Sequence, residues 1–206
     1  MEEQKNTYFD EYENLSFHPY NILLFLLLFG VTVLFLSLSA SFIYTRIQAD
    51  LPPVKLPWIF ILNTLVLIGS SWTLIQAKKA YKDDETDDYK NNILYTVILS
   101  FIFLGLQIIG WYQLLASDYF LGKDNSTSYL YVISAVHFAH VIFGLPFLLK
   151  FLHTARKKMI EPVSVLVYFS DPAKRLELRL LTIYWHFLDF LWVYLVLFFW
   201  ANWLMR

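Results

Sequence analysis

The chain has 206 residues, 58% hydrophobic, 19% aromatic and only 16% charged, with a formal net charge of −1 and a mean hydropathy of +0.50. This balance defines an integral membrane protein and excludes a nucleic-acid partner, which would need clustered excess positive charge for phosphate. Cysteine is absent, which excludes disulfides, thiol chemistry, cysteine-ligated zinc and iron–sulfur clusters.

In chain order, the opening "MEEQKNTYFDEYENLSFHP" is acidic and polar, the opposite of a signal peptide's basic start and short apolar core, so it is expected to persist as a tail. Five apolar runs follow, at residues 20–44, 57–77, 93–116, 128–152 and 178–204, each long enough to cross a bilayer as a helix of about 20 residues. Runs one to three carry uncharged polar residues, among them Asn63, Thr64, Ser70, Ser71, Thr73, Gln76 and Gln107, which suit packing contacts. "KDDETDDYK" (82–90) reads as a solvated turn between the second and third helices, or as a carboxylate cluster that gathers protons. The connecting segments are too short to fold alone and no repeat is visible. The expectation is one domain over residues 1–206, an all-α bundle of five transmembrane helices.

Twelve of the sixteen basic residues fall on one side of these crossings: Lys5, Lys78, Lys79, Lys82, Lys90, Lys150, Arg156, Lys157, Lys158, Lys174, Arg175 and Arg179. Arg46, Lys55, Lys123 and Arg206 fall on the other. The positive-inside rule places the N-terminus in the cytoplasm.

The fourth and fifth runs hold the ionisable groups. "HFAH" puts His137 and His140 on one helix face, and "YWHFLDFLWVY" (184–194) sets His186 three residues before Asp189. An aspartate at mid-membrane disfavours insertion by roughly 2.5–3.5 kcal/mol, so it needs a partner. At about 1.5 Å of rise per residue, His140 and Asp189 fall at nearly one depth, while His186 is roughly 7–8 Å nearer the cytoplasm and is expected to act independently. A His140–Asp189 contact between neighbouring helices is therefore expected. Three roles remain open for this constellation: interhelical hydrogen bonding, axial ligation of haem or copper, and proton handling. Axial ligation by His140 and His186 is opposed by their offset of roughly 8 Å.

Taken together these stretches resemble subunit III of the haem–copper oxidases, the cytochrome c oxidase subunit 3 family. Tyr184, Trp185, His186, Asp189 and Trp192 match its Tyr-Trp-His-Phe-x-Asp-x-x-Trp run, and "SAVHFAHVIFG" (134–144) is similar to its preceding helix, with Ala135 in place of a glycine. "LNTLVLIGSSWT" (62–73) and "QIIGW" (107–111) agree as well, whereas "HPY" (18–20) and "YTR" (44–46) match more loosely. Five spans correspond to the short bacterial form.

The resemblance implies a non-catalytic accessory subunit of a bacterial respiratory oxidase in the cytoplasmic membrane. It would hold no cofactor, with haem and copper in its partners, subunits I and II. It would stabilise subunit I, hold phospholipid in a cleft between helices one and two and helices three to five, support proton uptake and oxygen access, and enter a respiratory supercomplex where one forms. Lys78, Lys79, Arg156, Lys157 and Lys158 are the cations suited to lipid headgroups. Two departures bear on the proton role. Gly30 and Val31 stand where many members have Ser-Glu, and a second family carboxylate would fall near Asp83 or Asp84, outside the apolar run. The equivalent subunit of a quinol oxidase, a relative associated with nitric oxide reductase, and an independent haem- or quinone-binding membrane protein are the alternatives.

Overall fold

The computed structural model describes residues 19–51 and 54–205; the acidic tail with His18, and Arg206, lie outside the described residues. Six helices follow in order: α1 (Pro19–Gln48), α2 (Ile59–Lys82), α3 (Thr86–Ala116), α4 (Asn125–Lys158), α5 (Pro162–Ser170) and α6 (Pro172–Leu204). All except α5 are long and apolar enough to cross a membrane, and no strand occurs among the described residues. The chain is a multi-pass helical membrane protein.

The five spans match the five apolar runs, but the helices are longer than the runs. α3 begins at Thr86, where the sequence reading places a solvated turn, and the turn itself shrinks to residues 83–85. Hydropathy marks only the stretch inside hydrocarbon, whereas helical hydrogen bonding continues through the interface. Asp84 takes φ 58°, the left-handed conformation that closes so short a turn. The ends are locally encoded too. Asp124 caps α4 by accepting from the Thr127 amide at 2.7 Å, and Asp171 caps α6 ahead of Pro172 by accepting from Ala173 at 2.9 Å.

α6 is the hub, in contact with α1, α2 and α4, while α2 and α3 form a tightly packed hairpin. In lipid there is little hydrophobic drive between helices, so contact depends on close packing and hydrogen bonds. The indole N–H of Trp185 donates to Ser70 Oγ at 3.1 Å, and that of Trp192 to Thr64 Oγ1 at 3.2 Å, tying α6 to α2. Asn63 donates to Gln107 at 3.2 Å and Thr73 pairs with Thr96 at 2.8 Å, closing the hairpin. The expectation that these uncharged residues are packing contacts is met. Arg46, near the end of α1, donates to the Asn202 and Met205 carbonyls, oxygens that a helix C-terminus leaves free.

The expected cleft between helices one and two and the rest is not formed. α1 packs chiefly on α4 and α6, and α2 on α3 and α6, so the first two spans are not a separate group. The buried stripe of α1, Val31, Phe35, Ser39 and Phe42, explains its choice of neighbours. Phe42 meets Tyr129 of α4 and Phe198 and Phe199 of α6 with ring centroids 5.5–6.4 Å apart.

Two glycines differ in what a side chain would meet. A Cβ at Gly144 would lie 2.9 Å from the Tyr184 ring and 3.0 Å from that of Trp185, while one at Gly30 would meet nothing within 4 Å. Gly144→Ala should destabilise the purified chain by about 1–3 kcal/mol, and Gly30→Ala should be neutral or stabilise it by about 0.5–1 kcal/mol. Thermal unfolding in detergent followed by tryptophan fluorescence reads both. Equal effects would contradict the close α4–α6 approach.

Candidate functional site

The ionisable residues of α4 and α6 divide into two separate groups. The first is dry. His137 is wholly buried and donates from Nε2 to the Leu188 carbonyl of α6 at 3.1 Å. A carbonyl can only accept, so Nε2 carries the proton, and Nδ1 has no partner. Aromatic rings enclose the imidazole: Trp192 at 5.0 Å, Phe103 at 5.9 Å and Phe35 at 6.5 Å between centroids. His140 lies one turn on, donating from Nδ1 to the Val136 carbonyl of its own helix at 2.7 Å and facing Phe35 at 6.1 Å. Its carbonyl accepts from the Tyr184 hydroxyl at 2.9 Å, beside the space that Gly144 leaves open.

The second group lies between α2 and α6. His186 shares a 2.6 Å hydrogen bond from Nδ1 with Ser71 Oγ, and the same nitrogen is 3.9 Å from Asp189 Oδ2. Asp189 is 8% exposed, and its Oδ2 has no hydrogen-bond partner. The His186 side chain is 32% exposed, so the pair opens on the outer wall of the bundle. Ile68, Trp72 and Ile75 share the Ser71 face of α2, and Ile183 and Phe190 share the His186 face of α6; all five are exposed. The result is a polar group set in an apolar, exposed wall.

This geometry overturns the expected His140–Asp189 contact and the independence of His186. Equal depth does not fix direction around the helix axis. His140 turns to its own backbone and to Phe35, while Asp189 faces α2 with His186, its neighbour by the i, i+3 spacing. Ser71 completes the group and was legible only as one of several polar residues on its helix. Among the described residues no three His, Asp or Glu side chains gather as a metal set.

The basic residues proposed for lipid sit near the C-terminal ends of two different helices. Lys78 is half-buried and Lys79 exposed on α2, and Arg156 and Lys157 are exposed on α4; the Lys158 side chain lies outside the described residues. Lysine and arginine there also complement the helix C-terminal dipole. A further cluster escaped the sequence reading. Tyr81 and Tyr89, at the base of the α2–α3 hairpin, pack on Tyr168 and Phe169 of α5, and the Tyr89 and Tyr168 hydroxyls are 3.2 Å apart. Burial raises the Tyr168 phenol above its ordinary pKa. Its signal would have been the period of the "PVSVLVYFS" stretch, which the sequence reading leaves as a loop.

Residues 20–203 match the family model described as cytochrome c oxidase subunit III. Cytochrome c oxidase subunit 3 of Alkalihalophilus pseudofirmus is 30% identical over 175 residues, covering 81% of this chain and 78% of that protein. The proteins of the same name from Thermostichus vulcanus and Bacillus sp. strain PS3 are 26% and 28% identical, covering 89% and 82% of this chain and 87% and 79% of their own.

The partnering of Asp189 sets a double-mutant test on the purified chain. Asp189→Asn and His186→Gln should be non-additive by about 0.5–3 kcal/mol in unfolding free energy, whereas Asp189→Asn and His140→Gln should add within about 0.5 kcal/mol. The reverse pattern would restore the His140 pairing.

Proposed function

The chain belongs to the cytochrome c oxidase subunit III family, and from that premise we propose that it is a cofactor-free accessory subunit of a bacterial terminal oxidase fed by cytochrome c. Its partners are subunits I and II, which hold the haem and copper, and its site is the cytoplasmic membrane with the N-terminus inside. The role is to stabilise subunit I and the lipid around it, and so to sustain proton uptake and oxygen access in a proton-pumping complex.

One observation carries this reading. Asp189, His186 and Ser71 form a polar group that opens on the outer wall through the part-exposed His186 ring, with the Asp189 carboxylate buried behind it. Left against hydrocarbon, such a group costs several kcal/mol (about 2.5–3.5 on insertion scales). Because Asp189 itself is buried, the group a second protein surface can reach is the part-exposed His186 ring, and covering that ring takes the pair out of contact with hydrocarbon, which suits a subunit that works by attachment. The histidine environments support the same role. His137 spends Nε2 on Leu188 and His140 spends Nδ1 on Val136, bonds that hold helices and rings in place.

The proton role loses support at one position. Val31, where the family resemblance leads one to expect a carboxylate, is 5% exposed and belongs to the buried stripe of α1. Proton uptake would therefore be aided through the surroundings of subunit I and not through a carboxylate at residue 31.

Two experiments test the proposal. Asp189→Leu should lower the amount of this subunit that co-purifies with the oxidase, while Ile109→Leu, on the exposed face of α3, should not; equal retention would remove the attachment role. Depleting the subunit should leave the haem spectrum and initial turnover nearly intact and shorten activity under sustained turnover. Loss of a haem signal or of the first turnovers would contradict an accessory role.

A further inference from the structure

α5 has two faces with opposite fates. Tyr168 and Phe169 are buried against Tyr81 and Tyr89, the Tyr81 hydroxyl donates to the Tyr168 carbonyl at 3.1 Å, and Lys90 donates to the Met159 carbonyl at 2.7 Å just ahead of the helix. The segment is thus pinned at both ends to the base of the α2–α3 hairpin. On the other face Val163, Leu166 and Val167 are 65–73% exposed, and Ile160, in the bend just ahead of the helix, is 75% exposed. The spacing of three and four residues from Val163 makes one aliphatic stripe, which Ile160 extends. In water each such side chain forgoes about 1.5–3 kcal/mol of burial.

The position and charge of α5 point to what covers it. With nine residues it is about 13 Å long, too short to span a bilayer. It connects the ends of α4 and α6 that lie on the basic side of the bundle, and it follows Arg156 and Lys157, both exposed on the last turn of α4. Cations beside an exposed aliphatic stripe, at the level where spans leave the hydrocarbon, are the chemistry of a helix lying in an anionic interface.

We propose that α5 is an interfacial anchor. Ile160, Val163, Leu166 and Val167 enter the acyl boundary of the leaflet at the basic end, and Arg156 and Lys157 meet the phosphates of anionic phospholipids. Through the tyrosine cluster the anchor holds the α2–α3 hairpin at a fixed height relative to that surface. This rests on the five-span membrane architecture and is independent of the oxidase attachment proposed above.

Because the chain has no cysteine, single-cysteine variants take a spin label at one site only. Full chains with Val163→Cys or Leu166→Cys are placed in nanodiscs of mixed phosphatidylcholine and phosphatidylglycerol. Accessibility to oxygen, which enters lipid, is compared with accessibility to a water-soluble nickel chelate. Ile109→Cys, on a lipid-facing wall, and Asp87→Cys, in the exposed first turn of α3, give the two limits. Labels at residues 163 and 166 should favour oxygen, as at residue 109. Preference for nickel would place α5 in water, and protection from both reagents would mean that protein covers it; either overturns the anchor. Replacing phosphatidylglycerol with phosphatidylcholine, or introducing Arg156→Gln with Lys157→Gln, should move both labels toward the nickel limit. No movement in either case would overturn the anionic-lipid part.

Discussion

Within hydrocarbon no water is available, so the polar atoms that this chain buries call for protein partners, and α6 makes several of the bonds that answer them between helices. Trp185 and Trp192 have large rings that fill the centre of the bundle, and each has one N–H that must find an acceptor. Ser70 and Thr64 of α2 supply the two acceptors. Those bonds set the rotation of α6, which in turn brings the Leu188 carbonyl to His137 and the Tyr184 ring to Gly144. The family motif on α6 is thus a packing instruction whose residues address three neighbouring helices.

The same constraint explains why the two sets of ionisable groups differ in kind. His137 is buried and His140 half-buried, and each gives one ring nitrogen to a backbone carbonyl, so they help to complete the bundle. Asp189 is buried behind His186, whose part-exposed ring faces outward beside Ile183 and Phe190. On the reading proposed above, that part-exposed ring is where another subunit would close over the wall. α5 carries a parallel message at the basic end, where the buried tyrosines secure the helix and the opposite aliphatic stripe awaits a second medium.

The fold was largely legible because long apolar runs admit few alternatives in a bilayer. Five runs gave five spans, and the motifs of α4 and α6 gave the family. What failed was whatever depends on azimuth or on short elements. His140 and Asp189 share a depth, but rise per residue says nothing about which way a side chain points, and the nearer partner was already present at His186. The cleft assignment failed for the same reason, since the neighbours of α1 are decided by where Phe35 and Phe42 face. α5 was missed because a nine-residue, mostly apolar stretch between charged segments falls below any spanning length, although its three-and-four spacing was there to be read.

The central claim is that the wall around Ser71, His186 and Asp189 is a contact surface for another oxidase subunit. A photoreactive amino acid at Ile183, exposed on the same face of α6, tests it in the intact complex. Irradiation should join this chain to another oxidase subunit, and a hydrophobic reagent dissolved in the bilayer should label the same site poorly until the complex is dissociated. Adducts with phospholipid alone, unchanged by dissociation, would show that the notch faces lipid and would contradict the account.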